Sequence, residues 1–81
     1  MLIYNKRVFT FNFNYNNEIY EVNYIKEFNN IDGLETYFKV QGNINHLKEV
    51  EEILNENELE ISELLENNLE LEEIKFEDLG V

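Results

Sequence analysis

The stretch RVFTFNFNYNNEIYEVNYIKEF, residues 7–28, decides the fold. Phe9, Phe11, Phe13 and Tyr15 alternate with Val8, Thr10, Asn12 and Asn14. That period of two sends successive side chains to opposite faces of a strand. Asn16-Asn17 then interrupts the pattern. Asparagine tolerates positive φ, which a two-residue hairpin turn demands at both central positions. A two-residue turn here sets Phe13 opposite Tyr20, Phe11 opposite Val22 and Phe9 opposite Tyr24. All three pairs fall on one face, and each contributes about 0.2–1 kcal/mol.

A second turn signal, NNIDG at residues 29–33, leads into LETYFKVQG, where Leu34, Thr36, Phe38 and Val40 share a face. The expected product is a three-stranded antiparallel meander over residues 1–43. One face is aromatic, and the other carries Asn, Glu and Lys. NNIDG is not a calcium loop. With Gly33 at the sixth position, Phe28 and Lys39 would stand first and twelfth, where such a loop needs carboxylates.

An aromatic face of this size needs a cover, and the next segment supplies one. GNINHLKEVEEILNEN, residues 42–57, places Leu47, Val50, Ile53 and Leu54 at helical spacing. Asn43 or Asn45 is positioned to cap its start. Glu49, Glu52 and Glu56 gather on the far side, flanked by Glu51. Beyond Asn57, the residues Ile61, Leu64, Leu65 and Leu71 form a second helical stripe, beginning after Asn57 or capped at Ser62. LELEEIKFED, residues 69–78, reads either as more helix or as a short final strand. As a strand it would need a bulge at Glu72-Glu73, because its apolar parity flips there. The expectation is thus a single α+β domain over residues 1–81: a meander, then one or two acidic helices packed on its aromatic face, with a possible short C-terminal strand.

At 81 residues without a cysteine, stability must come from one hydrophobic core, with no disulfide or thiolate metal site to assist. No stretch approaches the roughly 20 apolar residues of a membrane span. MLIYNKRVFTF, at the start, lacks the apolar run and small-residue cleavage site of a secretory signal. A cytoplasmic protein is expected.

Charge is the feature most relevant to function. The chain carries a net −12. Residues 1–43 hold five acids against four bases, whereas residues 44–81 hold thirteen against two, Lys48 and Lys75. Direct binding to nucleic acid or to an anionic membrane is disfavoured, since no basic patch exists to displace counterions. Catalytic constellations are thin, with one His, one Ser, two Thr and three Gly. A Ser62–His46–Glu triad can be written down, but both residues sit near expected helix starts, where Ser caps and His is solvated. No metal-ligand spacing and no phosphate loop occurs. The expectation is a protein that is not an enzyme and holds neither cofactor nor metal.

The acidic excess exceeds what solubility requires, which is a net charge magnitude of about 2–8 for a small domain. It also forgoes the Glu–Lys pairing that ordinary surface helices use. Thirteen carboxylates over 38 residues, if helical at about 1.5 Å per residue, average one per about 4.4 Å. One strand of B-DNA presents a phosphate every 3.4 Å or so. Glu49, Glu52, Glu56, Glu58, Glu60, Glu63 and Glu66 are the candidate partner-binding residues, with Tyr37 as an added hydrogen-bonding contact from the sheet.

In size, acidity and the Asn/Ile/Tyr-rich bias of an AT-rich coding sequence, the chain resembles small phage anti-defence proteins. These include anti-CRISPR inhibitors, anti-restriction proteins and inhibitors of uracil-DNA glycosylase. The resemblance is one of overall character, without a shared motif. It implies a stoichiometric inhibitor, a monomer or small homo-oligomer, that occupies the DNA-reading surface of a basic nucleic-acid-binding protein such as a Cas effector or another nuclease. The alternative is an immunity or antitoxin-like module, or another interaction domain, that binds a basic partner.

Overall fold

A computed structural model describes residues 1–80. Strand β1 (Tyr4–Tyr15) turns at Asn16-Asn17 into β2 (Glu18–Asn29). Both turn residues have positive φ, 55° and 63°. The register pairs Phe13 with Tyr20, Phe11 with Val22 and Phe9 with Tyr24, as the sequence requires. Asn29 then shapes the next turn: its Oδ1 accepts the backbone N–H groups of Ile31 and Asp32 at 2.9 and 2.6 Å. Gly33 follows at φ 83°, a conformation that a Cβ disfavours. Strand β3 (Gly33–Gln41) returns antiparallel to β2 with no bulge in its register.

Two helices, α1 (Leu47–Glu56) and α2 (Glu58–Asn67), lie on the aromatic face. They bury Val50, Leu54, Ile61 and Leu65 against Phe11, Phe13, Tyr20, Val22 and Tyr24. Asn57 is the single residue between the helices. Its backbone N–H donates to the carbonyls of Ile53 and Leu54, its side-chain amide donates to Ile53, and its own carbonyl opens α2 by accepting from Ile61. α2 therefore starts after Asn57, and Ser62 lies inside it. Neither asparagine proposed as a cap serves α1. The residue before that helix is His46, which makes no side-chain capping bond. Asn43 is used otherwise: its Oδ1 accepts from the Asn45 backbone, and its amide donates to Glu18.

The C-terminal segment adds a three-residue strand, β4 (Glu73–Lys75), parallel to β1 in a sheet of order β3-β2-β1-β4. The expected bulge does not occur. The strand is too short for parity to matter: only Ile74 points inward, paired beside Phe13 and 1% exposed. The chain then enters a 3-10 turn (Phe76–Leu79) that buries Leu79. Gly80 ends it at φ 71°.

The sheet outreaches its helices, which makes the molecule long, 47 × 27 × 19 Å. At the uncovered end Asn30 ties down the N-terminus, accepting the Ile3 N–H on its side chain and donating its own backbone N–H to the Ile3 carbonyl. The opposite sheet face is mostly polar, but Ile25, flanked by Val8 and Tyr37, is 3% exposed. No helix among the described residues is long and apolar enough to cross a membrane.

Candidate functional site: an acidic cleft on an aromatic floor

The three α1 glutamates singled out by the sequence, Glu49, Glu52 and Glu56, do share one side of the helix. They border a cleft of about 340 Å³ whose remaining walls are Tyr15, Ile53, Asn57 and Phe76. Their spacing of three and four residues places them on one helical stripe. The sheet supplies the opposite wall. Tyr15 is the last residue of β1, and Phe76 opens the 3-10 turn just after β4. Their rings meet edge to face, 5.0 Å between centroids.

Tyr15 also fixes part of the acidic rim. Its hydroxyl donates to Glu49 Oε1 at 2.8 Å, and Glu49 Oε2 lies 3.8 Å from His46 Nδ1. The bond to Glu49 is the main reason that the Tyr15 phenol is held above its ordinary range, with burial and the carboxylate charge adding to it. The phenol thus stays neutral and keeps its proton for Glu49. A second depression adjoins the first at the α1–α2 junction. It shares Glu56 and Asn57 with the first and continues to Glu58, Leu59 and Glu60.

The sequence offers seven helical glutamates as one acidic surface, with Tyr37 as an added contact from the sheet, and the fold divides the glutamates. Glu52, Glu56, Glu60 and Glu63 are exposed and make no hydrogen bond or ion pair with another side chain of the described residues. Glu49 is exposed but held by Tyr15. Glu58 turns inward: its Oε2 accepts from the Tyr24 hydroxyl at 2.8 Å and from Thr36 Oγ1 at 2.6 Å. Glu66 is neutralised, with Oε1 standing 3.1 Å from Arg7 Nη1 and 3.3 Å from Lys26 Nζ. Tyr37 lies on the sheet face away from the helices, and its hydroxyl donates to Glu27 at 2.7 Å.

This partition follows from where the few cations are used. Arg7 and Lys26 are cross-strand neighbours on the helix-covered face. Arg7 sits 4.8 Å over the Phe9 ring and Lys26 sits 5.7 Å over Tyr24. Together they face the end of α2, whose last turn has no basic residue of its own, and so complement its negative pole. Lys6 goes to Glu27. Among the described residues, none of these reaches the α1 carboxylates, and Lys48, the one cation on α1, forms no ion pair within 4 Å.

Chemically, a cleft with an aromatic wall and a carboxylate rim suits an organic cation. A guanidinium can stack on a ring face while donating two parallel hydrogen bonds to a carboxylate. A metal ion is a poorer fit, since no three His, Asp or Glu among the described residues converge as ligands. Tyr15 and Phe76 were not found from the sequence. Tyr15 was legible only as the end of an aromatic stripe, and Phe76 fell on the parity flip of the last segment. No family model, no curated protein and no solved structure matches the chain.

Proposed function

We propose that this chain is a non-catalytic inhibitor that occupies the basic, DNA-reading groove of a bacterial nucleic-acid-binding defence protein, a Cas effector or another nuclease, in the cytoplasm. One observation carries the reading. The unneutralised carboxylates Glu52, Glu56 and Glu60, with Glu49 beside them, run along adjoining depressions, while three of the chain's six cations, Lys6, Arg7 and Lys26, pair with acids outside them. A purely solubilising surface has no need to keep its acids and bases apart. An acidic surface for a cationic groove does, because the segregated field steers encounter and excludes the competing polyanion. Glu63 extends the same exposed surface. Glu58 and Glu66 serve the fold.

The test is competitive capture. The immobilised chain is exposed to nuclease-treated host lysate, and bound protein is challenged with double-stranded DNA and with salt. The reading expects a retained nucleic-acid-binding protein that DNA displaces, that salt weakens steeply, and that the E52K/E56K variant no longer retains. A partner held equally well in the presence of DNA, or by that variant, overturns it.

A further inference from the structure

The free edge of β3 offers a different kind of surface. β3 is the terminal strand of the sheet, and the direction of its backbone groups can be worked out from the turn. A two-residue hairpin closes on a hydrogen-bonded pair, here Tyr15 and Glu18, and the pairs alternate from there. Even-numbered residues of β1 therefore point away from β2, as the Asn12 N–H does when it donates to the Glu72 carbonyl at 2.8 Å. Carried across β2, the same alternation turns the odd residues of β3 toward β2. Leu34, Thr36, Phe38 and Val40 are left with N–H and C=O groups directed outward. Among the described residues, nothing accepts from or donates to these groups.

Edge strands are ordinarily protected by a bulge, a proline, a run of charge or a covering loop. β3 has no bulge in its register and no proline. Its only charges are Glu35 and Lys39, both exposed and without an ion pair among the described residues. In a chain of net −12 this strand is neutral, and its charges are symmetric about Tyr37. We propose that two copies of the chain pair their β3 strands antiparallel about a two-fold axis at Tyr37, giving a continuous eight-stranded sheet.

In that register the outward groups of Thr36 meet those of Phe38 in the partner copy, and Leu34 meets Val40. Glu35 stands directly opposite Lys39 at both ends, in the non-hydrogen-bonded pairs where side chains approach closest. Shifting the axis to Thr36 or Phe38 loses this charge match. Leu34, 66% exposed in one copy, gains an apolar neighbour. An isologous contact of this kind closes on itself and does not propagate.

Sedimentation velocity with a charge swap tests the proposal, and it does not depend on the acidic cleft having a partner. Wild type is expected to sediment at twice 9.8 kDa. Lys39→Glu, which sets two glutamates opposite each other at both ends, is expected to weaken association by about tenfold or more. The double variant E35K/K39E restores both pairs with reversed polarity and is expected to return to the wild-type constant. Hydrogen exchange supplies a second readout, with the Leu34, Thr36, Phe38 and Val40 amides protected in wild type and exposed in the single variant. A wild-type chain still monomeric near 1 mM overturns the proposal. So does a single variant that dimerises normally, or a swap that fails to restore association.

Discussion

Replacing Glu58 by Ala separates acids that hold the fold from acids that stand free. Glu58 Oε2 accepts from Tyr24 and Thr36, tying the first residue of α2 to β2 and β3. Hydrogen bonds to a charged group contribute about 1.5–3 kcal/mol each, and orphaning a buried hydroxyl costs about 1–3 kcal/mol. Tyr24 is only 2% exposed, so its hydroxyl has little access to replacement water. The expected loss is about 2–4 kcal/mol, the lower figure if Thr36 recovers a water partner. A chain of 81 residues has roughly 4–12 kcal/mol in all. Urea unfolding followed by circular dichroism reads the loss as a midpoint shift of about 2 M or more, at a slope near 1 kcal/mol/M. Glu60→Ala and Glu63→Ala should stay within about 0.5 kcal/mol of wild type. In a double-mutant cycle with Tyr24→Phe, Glu58 should couple by about 1–2 kcal/mol. If Glu58→Ala unfolds alongside the Glu60 variant, or the coupling is nil, the assignment of Glu58 to the fold is wrong.

Other consequences are as direct. A Cβ at Gly42 would land against the Tyr20 ring, which is fully buried, so Gly42→Ala should cost about 1–3 kcal/mol, seen as a lower melting temperature. Asn16 and Asn17 both hold left-handed backbone. Ala at either should cost about 1–2 kcal/mol, whereas Asn17→Gly should be neutral or stabilising in the same melt. Burial, then the bond to Glu18, pushes the Tyr20 phenol up to about 12 from its ordinary 10. The folded state thus favours the proton: Tyr20's contribution is complete below pH 10 and is lost as pH rises toward 12. Glu18 behaves oppositely. Bonds from Tyr20 and Asn43 hold it below its ordinary 4.5, so its contribution is present above that value and is lost on acidification. Urea midpoints measured across pH check both limbs, and Tyr20→Phe should flatten the alkaline one.

The sheet was legible because separate signals agreed. Alternation in residues 8–15 and the Asn16-Asn17 turn specify the same register, and a one-residue slip would have turned the aromatic stripe to solvent. The helices were legible by their apolar spacing, though not their caps, since the asparagines before α1 found other partners. β4 was ambiguous for a physical reason. A three-residue parallel strand is specified by Ile74 packing beside Phe13, a contact between residues far apart in sequence. The same holds for the candidate site. The i, i+3, i+7 spacing of Glu49, Glu52 and Glu56 placed them together correctly. Glu58 and Glu66 looked equivalent to them in sequence, and only the positions of Tyr24, Thr36, Arg7 and Lys26 in the folded sheet set them apart.

The most direct measurement of the central claim is an amide chemical-shift titration with an oligo-arginine peptide, in wild type and in E52K/E56K. If the free carboxylates and the aromatic wall act as one cation-binding surface, shifts should concentrate on Tyr15, on residues 49–57 and on Phe76. They should weaken with salt and vanish in the double variant. Shifts spread evenly over every exposed acid, or unchanged in that variant, would contradict the account.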